Sequence, residues 1–175
     1  MSKRLLSDEE AIKLLESVGC SKRVVEHCKA VTDFAVELAK ACKKKGLEVD
    51  VDLVRIGALL HDIGRGRTHG VDHGILGAKI ARTLKLPDAV IAIIERHVGS
   101  GITKIEAKKL GWPVKSYIPE SLEERVVAYA DKLIEGSMLV PLDVAIERFY
   151  QDRNIPDASV ERLKQWHEEF SVCLQ

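Results

Sequence analysis

The chain has 175 residues, of which 46% are hydrophobic and 31% charged, an ordinary composition for a soluble globular protein. Its 27 basic residues are balanced by 27 acidic ones, so no overall charge directs it to nucleic acid or to an anionic membrane. The length predicts a single domain over residues 1–175, built around one hydrophobic core.

The four cysteines form no CxxC pair, so we expect reduced thiols rather than a disulfide framework. The N-terminal residues lack the apolar segment of a signal peptide. No stretch approaches the ~20 apolar residues that a membrane span needs. We therefore expect a cytoplasmic protein that has no membrane partner.

Local signals predict helices from the start of the chain. Ser7 and Glu10 match a capping box for a short helix that ends at Gly19. Ser21 can cap a longer helix, in which apolar residues recur with a period of 3.6. Lysines followed by a glycine end this helix at residues 43–46.

The middle of the chain continues this helical pattern. A third helix is expected to start near residue 50 or 52 and to run into His61 and Asp62. Three glycines within residues 64–70 predict a loop, because glycine disfavours a helix. The remaining helices are expected over about 72–84, 88–97, 103–111, 121–135, 141–150 and 156–172.

Two of these later helices begin with further capping boxes, Thr103 with Glu106 and Ser121 with Glu124. Between them, Gly99 to Gly101 reads as a flexible turn, and the last helix begins at Pro156 or Asp157. No strand-like alternation of useful length is found. The expected fold is therefore all-α, a single-domain bundle of eight or nine helices.

Side chains that can bind metal ions fall on the inward faces of different predicted helices. His61 and Asp62 end the apolar run 56–60, where an unpaired imidazole and carboxylate would cost several kcal/mol. The other inward candidates are His27, His73, His97 and Asp131. A hydrogen-bonded core residue is the alternative for any one of them, but six together indicate a metal site.

Four imidazoles and two carboxylates are ligands that suit Fe, Mn, Co, Ni or Zn. Six protein ligands exceed what one catalytic ion with an open position needs. We therefore expect two divalent metal ions that share Asp62 as a bridge. The ligand types leave the identity of the metal open, because N/O ligands accept most first-row ions and the availability of the ion decides which is bound.

The ordered positions His27, His61-Asp62 and Asp131 resemble the HD superfamily of metal-dependent phosphohydrolases. The segment from His61 to Gly64 resembles the HDIG variant of this superfamily. Residues 23–27 and 128–132 are similar to bacterial HD enzymes that split dinucleoside tetraphosphates symmetrically. The resemblance covers about residues 21–136 and leaves 137–175 as a C-terminal helical extension.

The resemblance implies an HD-domain-like fold and a role for each ligand. His27, His61, Asp62 and Asp131 would hold the first metal ion, and His73 and His97 would complete the second. A metal-bound hydroxide would then attack a phosphoester or phosphoanhydride, most simply in a nucleotide or dinucleotide. The cyclic-dinucleotide phosphodiesterases of the superfamily carry a second histidine where this chain has Val98, so that subfamily is not expected.

Cationic side chains near the ligands are expected to bind the phosphate. Arg65 follows Asp62 by three residues, and we expect both to be catalytic, with Arg65 also contacting substrate. Arg67, His69 and Lys132 are further candidates for substrate binding, and Lys132 can instead pair with a carboxylate. The expected partner is a small phosphorylated molecule, not a nucleic acid duplex.

Two alternatives to a phosphohydrolase remain at this point. Some HD-fold proteins use the same six ligands in a di-iron oxygenase, and a non-catalytic regulatory protein could keep the metal ions as structure. The C-terminal helices also allow two interpretations, since Phe149, Tyr150, Trp166 and Phe170 can either complete the core or form a homodimer surface.

Overall fold

The computed structural model describes residues 4–151 and 157–175. Within these residues the chain forms nine α-helices, which confirms the all-α expectation. They are α1 (Asp8–Ser17), α2 (Lys22–Lys44), α3 (Val51–Leu60), α4 (His73–Thr83), α5 (Asp88–Arg96), α6 (Lys104–Lys109), α7 (Leu122–Leu133), α8 (Leu142–Gln151) and α9 (Asp157–Leu174). The predicted start of the last helix at Pro156 lies outside the described residues.

Two of the three predicted capping boxes are present. At α1, Glu10 N donates to the Ser7 hydroxyl and Ser7 N donates to the Glu10 carboxylate. The same reciprocal pair of hydrogen bonds joins Thr103 and Glu106 at the start of α6. Each box satisfies backbone donors that a helix start otherwise leaves without a partner.

The third predicted box is only half formed. The Ser121 hydroxyl accepts a hydrogen bond from Glu124 N at 3.1 Å, as expected for a cap of α7. The Glu124 carboxylate instead accepts from Glu120 N at 2.9 Å and from Arg96 at 3.0 Å. An ionised guanidinium is the stronger donor for a buried carboxylate, so the prediction was wrong for the second half of this box.

The glycine-rich segment after Asp62 differs from the predicted loop, because residues Ile63–Gly66 form a 3-10 helix. A Cβ atom at Gly64 would collide with the carbonyl oxygen of His73 and with the backbone nitrogen of Gly77. Glycine is needed here because the chain passes directly against α4. This close approach keeps Asp62 beside the histidine that begins α4.

A short hairpin follows α7 where the sequence predicted the helix to continue. Strands β1 (Ile134–Glu135) and β2 (Met138–Leu139) pair antiparallel across a two-residue turn. Gly136 in this turn has a φ of 61°, a left-handed conformation that glycine adopts without strain. The predicted helix to residue 135 is therefore wrong at its end, because strands of two residues leave no visible alternation in the sequence.

The core is organised around α2, whose 23 residues pack against α3, α7 and α9. Three of the four C-terminal aromatic side chains, Phe149, Trp166 and Phe170, are buried in this core, whereas Tyr150 is exposed. The C-terminal helices therefore complete the core, which was the first of the two interpretations. The homodimer stays a prediction.

All four cysteines carry free, buried thiols, as expected for a reduced protein. Among the described residues, none of the helices combines the length and the apolar character that crossing a bilayer requires.

Candidate metal centre and its cavity

Five helices bring the six predicted ligands to one place. His27 lies on α2 and Asp131 on α7, whereas His61 and Asp62 directly follow α3. His73 begins α4 and His97 follows the last residue of α5. Four of the six, His61, Asp62, His73 and His97, are buried.

The four imidazoles share one mode of attachment. The Nδ1 atom of each ring lies between 2.7 and 2.8 Å from a backbone carbonyl oxygen. The carbonyls belong to Gly136 for His27, Ala58 for His61, Gly70 for His73 and Ile94 for His97. A carbonyl only accepts, so every Nδ1 carries its hydrogen and every neutral ring presents a lone pair at Nε2.

The first group of ligands is formed by His27, His61 and Asp131. Asp131 Oδ1 lies 2.9 Å from His27 Nε2 and 3.4 Å from His61 Nε2. Within the described part of the chain, His61 Nε2 is buried without a hydrogen-bond partner. The three side chains are therefore grouped as a metal ion would require.

The second group is formed around Asp62. Its Oδ1 atom lies 3.3 Å from His73 Nε2 and 3.4 Å from His97 Nε2, and these two nitrogens are 3.0 Å apart. Its other oxygen, Oδ2, lies 3.8 Å from His61 Nε2. Asp62 thus faces both groups with different oxygens, and it could contribute a ligand atom to each group.

The ligand separations fit a divalent ion. With metal–nitrogen distances of about 2.0–2.1 Å, neighbouring ligand atoms in octahedral or tetrahedral sites lie about 2.9–3.4 Å apart. The contacts of Asp131 Oδ1 with His27 and His61, and the triangle of Asp62, His73 and His97, span 2.9 to 3.4 Å. The Nε2 lone pairs of His73 and His97 face each other at 3.0 Å and repel, and a cation between the two nitrogens would remove that repulsion.

Both carboxyl groups are held in the charged form. Burial alone would favour the neutral acids, but the imidazoles of His61, His97 and His73 together outweigh burial and lower the pKa of Asp62. Burial is likewise outweighed at Asp131, where the Lys132 ammonium group and His61 hold the pKa well below its ordinary value. The centre therefore keeps two negative charges at neutral pH.

The buried imidazoles differ in the charge that their surroundings favour: His73 and His97 are kept neutral, whereas His61 is favoured in its charged form. Burial and the neighbouring His97 lower the pKa of His73 to about 3, and burial also lowers the pKa of His97. Burial opposes charge on His61 as well, but the carboxylates of Asp62 and Asp131 raise its pKa well above the ordinary value. A metal ion would replace the proton of His61, since a ligating imidazole is neutral.

A cavity of about 580 Å³ opens over the ligands. Its floor includes four of them, His27, Asp62, His73 and Asp131. Cationic or titratable side chains also line it, namely Arg65, His69, Lys132 and Arg148. Apolar walls come from Val71, Val98, Ile102, Leu110, Ile134 and Phe149. The cavity combines features suited to an anionic group and to an apolar or aromatic one.

Three of the predicted substrate-binding residues reach this cavity. Arg65 Nε lies 3.3 Å from Asp62 Oδ1, and its Nη1 donates to the His69 carbonyl at 2.8 Å. Lys132 Nζ lies 2.5 Å from Asp131 Oδ2, so it pairs with a carboxylate while lining the cavity. Each of these two cations contacts a predicted metal ligand.

Arg67 is placed elsewhere. It lines a separate shallow groove with Val18, Leu76 and Leu84 rather than the cavity over the ligands. The turn of the 3-10 helix between Arg65 and Arg67 separates the two side chains, although they are two residues apart in sequence.

The C-terminal helices contribute to the site in a way that the sequence did not indicate. Arg148 and Phe149 of α8 and Ser159 of α9 line the cavity. The turn from Gly99 to Gly101, which was predicted to be flexible, is hydrogen-bonded to α9. The buried Ser100 hydroxyl donates to the Ser159 carbonyl at 2.5 Å. Arg162 adds hydrogen bonds to the Ser100 carbonyl at 2.9 Å and to the Gly101 carbonyl. No local pattern marks these contacts.

Comparison with known proteins gives a family match. Residues 24–135 match the family described as HD domain. An uncharacterised protein of Methanocaldococcus jannaschii is 48% identical over 167 residues, which are 95% of this chain and 98% of that protein. A tRNA (cytidine(56)-2′-O)-methyltransferase of Picrophilus torridus is 38% identical over 172 residues, or 98% of this chain. The alignment covers 48% of that enzyme, so this chain spans about half its length.

Two further similarities are more distant. Ribonuclease Y of Pseudothermotoga lettingae is 39% identical over 94 residues, which are 51% of this chain and 18% of that enzyme. The HD domain of the L. monocytogenes phosphodiesterase PgpH, in complex with cyclic-di-AMP, shares the fold with a TM-score of 0.58. Its identity is 16%, over 88% of this chain and 92% of that domain. The resemblance to dinucleoside tetraphosphate hydrolases stays a prediction.

Proposed function

This chain belongs to the HD-domain family, and we propose from that premise that it is a metal-dependent phosphohydrolase acting on a nucleotide. The bond cleaved is a phosphoester or phosphoanhydride. The observation that carries the proposal is the convergence of four imidazole Nε2 atoms and two carboxylates beside a cavity lined by cationic side chains.

The ligands divide between two positions in this proposal. His27, His61 and Asp131 would hold one ion, His73 and His97 the other, and Asp62 would face both. Divalent ions bound there supply an activated water as nucleophile and neutralise negative charge on phosphate oxygens.

In this proposal, Arg65 acts on the phosphoryl group. Its contacts to Asp62 and to the His69 carbonyl occupy Nε and Nη1, which leaves donors of the five that a guanidinium carries. These donors can stabilise charge on the equatorial oxygens as the bond to the leaving group breaks. Asp62 holds the Arg65 side chain in place, so the two residues act together.

The relatives support cleavage of a nucleotide bond. Ribonuclease Y is named for breaking RNA, whose backbone is a chain of phosphodiesters, and it is 39% identical to this chain over 94 residues. The apolar walls of the cavity offer surfaces for a nucleobase and ribose. The methyltransferase similarity adds a link to RNA, but the named transfer reaction belongs to a protein about twice as long as this chain.

The proposal is tested by depleting the purified protein of metal and reloading it with Mn²⁺, Fe²⁺, Co²⁺, Ni²⁺ or Zn²⁺. Release of p-nitrophenol from bis(p-nitrophenyl) phosphate, and of phosphate from nucleotides, should return with at least one ion. Asp62→Ala should abolish it, whereas Asp33→Ala, a matched change at an exposed position of α2, should not. Absence of hydrolysis with every ion, together with oxygen consumption by the Fe²⁺ form, would instead support the oxygenase alternative.

A further inference from the structure

The permanent cations of the cavity differ in what they contact. Arg65 pairs with Asp62 and Lys132 pairs with Asp131, so each is offset by a carboxylate of the metal centre. Arg148 makes no ion pair with any residue in the ranges 4–151 and 157–175. Its positive charge is therefore available to a ligand of the cavity.

The backbone of α8 holds Arg148 at the cavity wall. Ala145, Arg148 and Phe149 lie at positions i, i+3 and i+4, which share one face of a helix, and all three line the cavity. Ala145 and Phe149 are 1% and 5% exposed and belong to the main core, so this face cannot rotate away without disrupting packing. Arg148 is the only charged residue of the three.

A guanidinium is suited to a phosphoryl group because it can donate two parallel hydrogen bonds to one group. In the proposed function, the metal ligands, Arg65 and Lys132 would surround the phosphoryl group to be cleaved. Arg148 comes from a different element, outside the segment 24–135 that matches the family. The cavity of about 580 Å³ falls within the size range of small-ligand sites.

We propose that Arg148 binds a second phosphoryl group, so that this site selects nucleotides carrying two or more phosphoryl groups over those carrying one. The inference rests on the proposed function for the placement of the first phosphoryl group. It makes Arg148 a specificity-determining residue.

Equilibrium binding tests this selection without requiring turnover. The protein is loaded with Mn²⁺, freed of excess metal by gel filtration, and titrated calorimetrically with AMP and with α,β-methylene-ADP. The wild-type protein should bind the diphosphate analogue about tenfold more tightly, the effect of one or two charged hydrogen bonds. In Arg148→Ala the ratio of the two dissociation constants should fall close to one, and Arg148→Lys should keep part of it.

Lys43→Ala is the control, because it removes an exposed cation in the last turn of α2, at the other end of that helix from His27, and it should retain the wild-type ratio. An unchanged ratio in Arg148→Ala, or no preference in the wild-type protein, would overturn the inference. Hydrolysis of bis(p-nitrophenyl) phosphate by the wild-type protein is measured separately. If the wild-type protein hydrolyses this substrate but Arg148→Ala keeps the ratio of dissociation constants, the proposed function stands and the inference about Arg148 fails. If Arg148→Ala loses the ratio but the wild-type protein does not hydrolyse the substrate, the role of Arg148 is supported and the proposed reaction is not.

Discussion

Single side chains at the metal centre are oriented by the backbone around them. Each of the four imidazoles gives its Nδ1 hydrogen to a carbonyl oxygen, and the direction of that bond aims Nε2 at the carboxylates. Partners of this kind fix the tautomer of a ligating histidine and raise its affinity for metal. The site therefore depends on backbone positions as much as on the six ligands.

The two groups of ligands can be separated by one substitution. His73→Ala removes a ligand from the Asp62 group and leaves the group of His27, His61 and Asp131 intact. We expect metal content to fall from about two ions per chain to about one, with loss of hydrolysis. Elemental analysis after gel filtration measures this, and His69→Ala, which changes a histidine outside the six ligands, should retain both ions. Equal metal content in the two variants would contradict the assignment of His73.

Arg65 gives a different prediction, since it is not a ligand. Arg65→Ala should keep its metal content and lose turnover by about 100-fold, the usual effect of removing one donor to a transition state. Arg65→Lys should recover only part of the rate, because an ammonium group cannot reproduce the planar donor pair. Parallel measurement of metal content and kcat checks this. Full turnover in Arg65→Ala would place the residue outside the reaction.

At the scale of elements, one ion-pair cluster joins the helices that carry His73 and His97. The Glu95 carboxylate of α5 accepts from Arg82 of α4 and from Lys115, each at 2.7 Å. Glu95 is 7% exposed, and its two partners are about half exposed. The cluster ties α4 to α5 and so contributes to the spacing of the two histidines.

This cluster predicts a pH-dependent contribution to stability. Burial raises the pKa of Glu95, but its hydrogen bonds to Arg82 and Lys115 outweigh burial and lower it below the ordinary value of 4.5. A carboxyl whose pKa is lower in the folded state stabilises the fold above its unfolded pKa, and this stability is lost as the pH falls through the folded pKa.

Glu95→Gln should therefore lower the free energy of unfolding at pH 7 by about 1–2 kcal/mol, a modest value because solvent screens the two half-exposed partners. The difference from the wild-type protein should shrink as the pH falls below about 4.5. Urea titrations across this range measure it, with the exposed Glu168→Gln as control. If the difference in the free energy of unfolding between Glu95→Gln and the wild-type protein grew towards acid pH, the predicted direction of the pH dependence would be wrong.

For the whole molecule, the C-terminal extension and the segment that matches the family form one folded unit in our interpretation. The Phe170 ring of α9 is fully buried, and its centroid lies 5.1 Å from that of Tyr129 on α7. The Tyr129 hydroxyl is also 2.9 Å from His167 Nδ1, so α9 is joined to α7 by packing and by a hydrogen bond. His167 is partly buried by this contact.

Phe170→Ala tests whether the domain is continuous. Truncating a fully buried phenylalanine should lower the free energy of unfolding by about 3–5 kcal/mol in a single cooperative transition. Val172→Ala, at a position 61% exposed on the same helix, should change it by about 0.5 kcal/mol or less. Chemical unfolding followed by circular dichroism provides the measurement. Two separate transitions would mean that the extension folds independently of the rest.

The sequence by itself determined the helical class and most helix starts, and it predicted the six candidate ligands. These features are local, since a capping box lies within four residues and the apolar period is visible within one helix. The structure differed from these predictions where a distant group competed for a hydrogen-bonding partner, as when Arg96 donated to the Glu124 carboxylate. It also differed where an element was too short to leave a pattern in the sequence, as in the hairpin 134–139.

Only the tertiary structure decided how these residues meet. The carbonyl that orients His27 belongs to Gly136, 109 residues away, and Arg148 reaches the cavity from a helix outside the matching segment. Arg65 and Arg67 are neighbours in sequence, yet one lines the cavity and the other a separate groove. Distances between ligand atoms, and the side of the chain on which a cation lies, arise from packing between helices, for which the sequence carries no local signal.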